Sequence, residues 1–292
     1  TAVETMLLIY KLPGMAQLDS GGEAAASLAE SLRLDPTDLG ALHALERCSR
    51  QSAVVEIVTF ATNETECGYR RLLKSAEYYG HTITNLAPKS QAWSNGLKLL
   101  LLKEHARSLP KDILLCAVDG YDVVLAGSSA QLASRYRQLT DGILVSADQT
   151  FYFVGERERY YAENYPPGAP YRFLNSGSLM GRAGDLAQVL HLALETYSAG
   201  WNGVSDQTLL HQLFVDHKAG IQLDHHQTAF ANTGGRAFLR DLDVVQGRIH
   251  NRLTDTYPVV LHCPGQKRFR TEFDRLKKIG WDVDLVQCHD DD

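Results

Sequence analysis

Apolar residues in this chain follow two patterns. Through Ala24–Leu34 and Leu39–Cys48 they recur at helical spacing, Pro36 breaks between the runs, and Asp35 or Thr37 is placed to cap the second helix. Residues 1–52 therefore read as a helical N-terminal extension, a packing or interaction appendage. One helix pair falls short of a solenoid, which needs about three repeats. From residue 53 the pattern changes to short apolar runs alternating with helical stretches. Val54–Ala61 is β-branched and ends in Thr62-Asn63-Glu64-Thr65, a strand and a turn leading into a helix over Cys67–Tyr79. His81–Leu86 reads as a short strand, Asn95-Gly96 as a loop and Leu97–Ser108 as a helix. Ile113–Val118 is a strongly apolar strand, Ala130–Leu139 a helix, and Gly142–Ala147 a strand ending at Asp148. Phe173–Gly181 carries small residues at Ser176, Gly177 and Ser178, where Gly177 lets backbone approach a ligand or another strand closely. Helices follow over Leu186–Ser198 and Thr208–Asp216, the second opened by Asp206 and Gln207. Ile221–Leu223 and Val259–His262 read as strands, and Arg268–Lys278 as a basic amphipathic helix. The alternation predicts an α/β domain over 53–285, a Rossmann-like, mostly parallel sheet flanked by helices. Residues 286–292 form an acidic tail.

Composition bounds this without changing it. The chain has 292 residues, 44% hydrophobic and 22% charged, enough for one large core or one domain with an appendage. A net charge of −6 excludes a basic nucleic-acid footprint. No apolar run is long enough for a transmembrane helix, and Met6–Tyr10 is too short for a signal peptide and lacks a basic flank. Five scattered cysteines without a CxxC pair argue against a zinc framework and neither demand nor exclude one or two disulfides. The compartment stays open, a secretory lumen for a eukaryotic source and the cytoplasm for a viral or bacterial one, as does the oligomeric state.

The chemistry gathers where strands end. In an α/β sheet ligands bind beyond the carboxyl ends of the strands. Asp119 and Asp122 follow Ile113–Val118 and precede apolar Val123–Leu125. Carboxylates in such a pinch need compensation, which a hard divalent cation supplies, and the cation in turn holds phosphate. His262 ends another predicted strand and joins the same edge; an imidazole beside two carboxylates favours Mn2+ over Mg2+. Lys267 is placed to neutralise a pyrophosphate as a point charge. The turn after the first strand lacks GxGxxG, so dinucleotide binding is not supported. Phe151–Tyr171 holds five tyrosines and two phenylalanines, set either to stack on sugar or peptide or to pack among themselves on a helix over Glu156–Asn164. Asp224-His225-His226 also marks a class of metal-dependent phosphoesterases, but the early Asp-x-Asp cluster those enzymes need is missing. There is no GxSxG elbow and no P-loop.

Four blocks, Ile57–Arg71, Asp119–Gly127, Arg172–Gly181 and Ile221–Gly235, with a looser fifth at Pro258–Lys267, resemble in order and spacing the N-terminal glycosyltransferase domain of the multifunctional procollagen lysyl hydroxylases. The resemblance implies a GT-A fold, Mn2+, and UDP-glucose or UDP-galactose as donor. It implies transfer with retention to a hydroxylated peptide or glycan acceptor, of the hydroxylysine or galactosyl-hydroxylysine type. Asp119, Asp122 and His262 become the metal ligands and Tyr121 the ring that stacks on uracil. Thr62 contacts the nucleotide through backbone, Lys98 stands where the family has a lysine near the donor, and Gly265 and Lys267 complete the donor-binding set. Asn175 and Asp206-Gln207 line the sugar and acceptor pocket. Asp206, with Asp148 second, is the carboxylate for the cationic sugar. Three departures fall on the acceptor side. The glycine-rich run before the lysine is only Ser94-Asn95-Gly96-Leu97, the acidic cluster is reduced to Gly203-Val204-Ser205-Asp206, and the tryptophan-bearing acceptor loop is replaced by Gln149–Gly155. They keep a second expectation open, a module that binds UDP-sugar or glycan without turnover.

Overall fold

The computed structural model describes residues 55–87, 93–151, 160–161, 163, 168–197, 205–216, 220–233, 241–265 and 281, all within the compact unit Val55–Asp292. The helices expected over residues 1–52, most of the helix expected over Glu156–Asn164, the Arg268–Lys278 helix and the acidic tail lie outside the described residues.

The expected β-α alternation forms. Strands β1 (Val55–Thr59), β2 (Ile83–Asn85), β3 (Leu114–Val118), β5 (Ile143–Asp148), β6 (Phe173–Arg182) and β7 (Ile221–Leu223) make one sheet, in the order β2-β1-β3-β6-β5-β7. Five of these strands run one way and β6 runs against them, antiparallel to both β3 and β5. The sheet is therefore mostly parallel. Strands β3 and β5 are buried along their whole length, which is why both read as unbroken apolar runs rather than alternating ones.

Helices α1 (Cys67–Tyr78), α2 (Asn95–Ser108), α3 (Ser129–Leu139), α4 (Ala183–Tyr197) and α5 (Asp206–Val215) flank the sheet. Their starts follow local chemistry. Ser94 caps α2, its hydroxyl accepting from Leu97 N, so the Asn95-Gly96 pair that reads as a loop forms the first turn of the helix. A capping box between Ser128 and Gln131 opens α3. Leu99 and Leu102 of α2, Leu186 and Leu190 of α4 and Leu209 of α5 share one core with Leu115, Val145 and Leu179 of the sheet. Phe151, Tyr160 and Tyr161 join that core, Tyr161 stacking on Phe214 with centroids 5.7 Å apart. Among the described residues, then, these rings of the aromatic stretch pack on the protein rather than facing a ligand.

A second, smaller sheet has short strands in the order β4-β11-β8: β4 (Val123–Leu125), β11 (Val260–His262) and β8 (Phe230–Asn232). β11, the last strand in sequence among the described residues, is the central one, antiparallel to β4 and parallel to β8. Below it lies a separate core of Val124, Ala231, Leu261 and Trp281, reached also by Leu242 and Ile249 of the hairpin β9 (Leu242–Val245) and β10 (Arg248–Asn251). No helix among the described residues is long and apolar enough to cross a membrane. Cys116 and Cys263 are buried, whereas Cys67 is disulfide-bonded.

Candidate metal and donor site

Asp119 stands one residue beyond β3, and Asp122 one residue before β4. The link between them bends sharply enough to aim both carboxylates the same way. Two glycines permit it. A Cβ on Gly68 would meet the Tyr121 carbonyl oxygen at 1.8 Å, and one on Gly120 would meet the Phe60 carbonyl oxygen at 2.9 Å. Main-chain bonds then pin the loop to three other segments: Asp119 N donates to Gly177 O at 2.9 Å, Cys263 N to Asp122 O at 2.8 Å, and Gly265 N to Asp122 Oδ2 at 3.1 Å. Gly265 has φ +101°, a conformation glycine adopts without strain.

His262 arrives from the end of β11. Its ring lies against Gly177, where a Cβ would sit 2.0 Å from Cε1, so the small residue in β6 makes room for this imidazole. Nε2 is 3.6 Å from Asp119 Oδ2 and 3.6 Å from Asp122 Oδ1. That is too long for a hydrogen bond, and Nε2 is buried without a hydrogen-bond partner. An orphaned ring nitrogen facing two carboxylate oxygens is costly unless something sits between them. One atom from each residue falls within 4.8 Å of the others, and a divalent cation fits both the spacing and the donor set. Burial lowers the basicity of His262, but the two carboxylates outweigh it and raise its pKa. For Asp122 burial pushes upward and is overcome by His262 and the Gly265 N–H, leaving the pKa depressed.

Lys98, in the first turn of α2, is 4% exposed. Its Nζ reaches Asp119 Oδ1 at 2.5 Å, Asp206 Oδ2 at 2.9 Å and the Ser176 carbonyl at 3.0 Å. Burial alone would neutralise it; the two acids outweigh burial and hold it charged, well above its ordinary pKa. Lys98 thus ties the metal-side Asp119 to Asp206 at the start of α5.

These groups wall a cavity of about 330 Å³. Asp119, Asp122, Lys98 and His262 line it with Asn175, Ser176 and Gly177 from β6, and Ser205, Asp206 and Gln207 from the start of α5. A register shift between Val145 and Ser146 of β5 lets β6 bulge here. Asn175 Oδ1 accepts from Gly177 N at 2.9 Å, which fixes the bulge. Tyr121 is on the rim, its hydroxyl accepting from Asn63 N at 2.7 Å and lying 3.1 Å from Thr62 Oγ1. That clasp joins the β1 turn to the β3–β4 loop. Trp93, 37% exposed and 6.2 Å centroid to centroid from Phe60, completes the rim with Pro264. Nothing in the local sequence pattern singles out Trp93; only its position just before Lys98 hints at it.

Asp148, at the end of β5, is 1% exposed, and its Oδ2 has no hydrogen-bond partner. Burial pushes its carboxyl up to about 7, against the N–H of Thr150 and the neighbouring His262. It does not line the cavity, although Asn175 beside it does. Lys267 lies outside the described residues. The Asp224-His225-His226 triplet is spent on structure. Asp224 is fully buried, its oxygens accepting from Thr228, Ala229 and Phe230 N at 2.7–2.9 Å, and His225 Nδ1 meets Tyr171 O at 2.7 Å. Three main-chain N–H groups hold the Asp224 carboxylate inside the fold with no surface exposed, which is a structural arrangement rather than a phosphoesterase metal site.

The chain is similar to known proteins. A family profile described as "PLOD GT domain" matches residues 51–278. The multifunctional procollagen lysine hydroxylase and glycosyltransferase LH3 of Rattus norvegicus is 31% identical over 235 residues, 74% of this chain and 30% of the relative. The Homo sapiens LH3 is 30% identical over 238 residues, with the same shares. Procollagen-lysine,2-oxoglutarate 5-dioxygenase 1 of Rattus norvegicus is 30% identical over 237 residues, 74% of this chain and 31% of the relative. The chain thus spans about a third of the length of these curated relatives. Among solved structures, a glycosyltransferase involved in glycosylation of the PBCV-1 major capsid aligns over 76% of this chain and 98% of its own, with a TM-score of 0.47 and 11% identity. The galactosyltransferase LgtC, solved with donor and acceptor sugar analogs, aligns over 76% and 96%, with a TM-score of 0.47 and 14% identity. Both are too distant to bear on what this chain does. The profile match over most of the chain, together with the LH3 likeness, is decisive: the chain belongs to the PLOD GT domain family and is a glycosyltransferase domain.

Proposed function

We propose that this is a Mn2+-dependent, GT-A-type transferase that moves glucose or galactose from a UDP-sugar to a hydroxylysine or galactosyl-hydroxylysine hydroxyl, with retention at the anomeric carbon. The observation that carries this reading is the buried, unpartnered Nε2 of His262, 3.6 Å from carboxylate oxygens of both Asp119 and Asp122 beside the cavity. A nitrogen with two carboxylates favours Mn2+, Mg2+ being the second choice. When bound, the cation supplies positive charge against the diphosphate of the departing UDP.

The chain's own groups do the rest. Lys98 bridges Asp119 and Asp206 and fixes their spacing. The clasp on the Tyr121 hydroxyl holds that ring still for stacking on uracil, beside the backbone of Thr62 and Asn63. Lys267 adds a second cation for the diphosphate. Asp206, which lines the cavity as Asp148 does not, faces the sugar as an anion that stabilises the cationic centre. Asn175 and Gln207 orient sugar and acceptor hydroxyls. The acceptor class is drawn from the LH3 relatives, each a multifunctional procollagen lysine hydroxylase and glycosyltransferase.

The test is UDP release from UDP-glucose and UDP-galactose, with Mn2+ and peptides bearing hydroxylysine or galactosyl-hydroxylysine. Release that needs both metal and acceptor, and that falls at least about 100-fold in Asp122→Asn, is expected. Tight UDP-sugar binding with no release from either peptide would replace the transferase with a binding module.

A further inference from the structure

A line of buried amides leads from the metal-side imidazole into the small sheet. Asn232 ends β8 and is the register partner of His262 at the end of β11, so in this parallel pair their side chains share one face. Asn232 is 3% exposed, and its side-chain Nδ2 lies 3.4 Å from His262 Nδ1. Behind it, Gln227 Nε2 donates to the Asn232 carbonyl at 2.7 Å. Asn251, with no exposed surface, donates from Nδ2 to Gln227 Oε1 and to the Tyr171 hydroxyl, each at 2.9 Å. Gln227 is 1% exposed and sits at φ +51°, a left-handed conformation a glutamine adopts only where its surroundings insist on it. The turn containing Gln227 is the one Asp224 organises through the N–H groups of Thr228, Ala229 and Phe230. So Asp224 sets the start of β8 and Gln227 holds its end, and what β8 delivers is the Asn232 amide.

A ring nitrogen binds a metal through its lone pair, and the other ring nitrogen must then carry the proton. Nδ1 of His262 faces Asn232, whereas Nε2 faces the two carboxylates. An amide offers an oxygen or an NH2 to the same neighbour by turning over. We infer that Asn232 is a positioning residue for metal binding: turned over, so that its oxygen replaces Nδ2, the amide accepts from His262 Nδ1–H and fixes the tautomer whose Nε2 lone pair faces Asp119 and Asp122, and the Gln227–Asn251–Tyr171 chain holds the main chain of Asn232 in place. This rests on the reading of His262 as a ligand. It also gives the Asp224 motif a role, as the anchor of the strand that orients a ligand rather than as a ligand.

The experiment is Mn2+ titration of the full chain in the presence of UDP, read by the electron paramagnetic resonance signal of free Mn2+. Wild type should bind and His262→Ala should not. Asn232→Ala should weaken Mn2+ binding roughly 10- to 100-fold. Asn232→Asp, whose carboxylate only accepts from Nδ1–H, should keep the affinity within about threefold of wild type, a rescue that a purely structural role does not predict. Failure of wild type to bind Mn2+ would remove the ligand reading and this inference together. Normal wild-type binding with unchanged affinity in Asn232→Ala, or equal loss in Asn232→Ala and Asn232→Asp while both keep the wild-type unfolding midpoint, would overturn the inference alone. If Asn232→Ala does not fold, Gln227→Met removes the hold on the Asn232 carbonyl at nearly the same length, and unchanged Mn2+ affinity there overturns it as well.

Discussion

The six-stranded sheet and the three-stranded sheet hold their shares of the site by different means. On the large-sheet side the groups are charged. Lys98 is clamped between Asp119 and Asp206, and Asp148 is buried at the end of β5. On the small-sheet side they are neutral amides and backbone N–H groups, with Asp224 neutralised by three main-chain donors. Buried charges are strong but intolerant, since removing one partner strands the other. Amide chains are weaker per bond but fix direction. The large sheet thus sets how much charge the site contains, and the small sheet sets where the imidazole points.

The largest test of this contrast removes the central cation. Lys98→Met leaves Asp119 and Asp206 without their shared partner and should destabilise the fold by about 3–5 kcal/mol in guanidinium denaturation without metal. Saturating Mn2+ should recover part of that, because it compensates Asp119. A change confined to the midpoint without metal, no larger than about 0.5 kcal/mol, would mean the pair is not the electrostatic keystone of that side.

The next test strikes the seam between the sheets. In Gly177→Ala the new methyl group has no room beside His262, which must move. Mn2+ affinity should fall about 100-fold, equivalent to about 2.7 kcal/mol, with stability altered far less. Calorimetric titration with Mn2+ and UDP reads the first and thermal unfolding the second; equal affinity would show that the imidazole relaxes freely.

The smallest expected effect concerns pH. Asp148 is held up to about 7 by burial, above the ordinary carboxyl value of 3.8. Its folded form therefore keeps a proton that the unfolded chain releases between those values. Stability from this group is complete below the lower value and is lost as pH rises through the upper one. Asp148→Asn cannot lose the proton, so its stability advantage over wild type should grow as pH rises toward 7 and should vanish near pH 4. Denaturation curves across that window that stay parallel would show that the carboxyl is ionised in the fold. A matching substitution among the small-sheet amides should leave the pH profile unchanged, which is the sense of the contrast.

The large sheet was legible before its coordinates were known, for a simple reason. Strands such as Leu114–Val118 and Ile143–Asp148 are buried on both faces, and an unbroken apolar run advertises that. Asp119 and Asp122 were visible because they interrupt one. His262 was visible because it ends another. The direction of β6 was not, because nothing in a run of apolar and small residues distinguishes an antiparallel neighbour from a parallel one. Strands β4, β8, β9 and β10 have three or four residues each, too few to carry a period. The Lys98 clamp was hidden for another reason. Its partners are 21 and 108 positions along the chain, and a lysine on a helix reads as solvated until both acids are seen beside it. The expectation for Gly177 was a close approach to a ligand or a strand, and the neighbour that needs the space is a side chain, His262.

The position of β11 has a consequence for when the protein becomes competent. Among the described residues it is the last strand in sequence and yet the middle strand of its sheet, and both β4 and β8 pair with it. A chain growing on the ribosome exposes Asp119 and Asp122 early, but Val123–Leu125 has no strand to pair with, and no imidazole arrives, until residues 260–265 have been made. Half-made chains therefore carry paired carboxylates without the imidazole that joins them, and glycosyl transfer waits for the late closure of contacts some 140 residues apart.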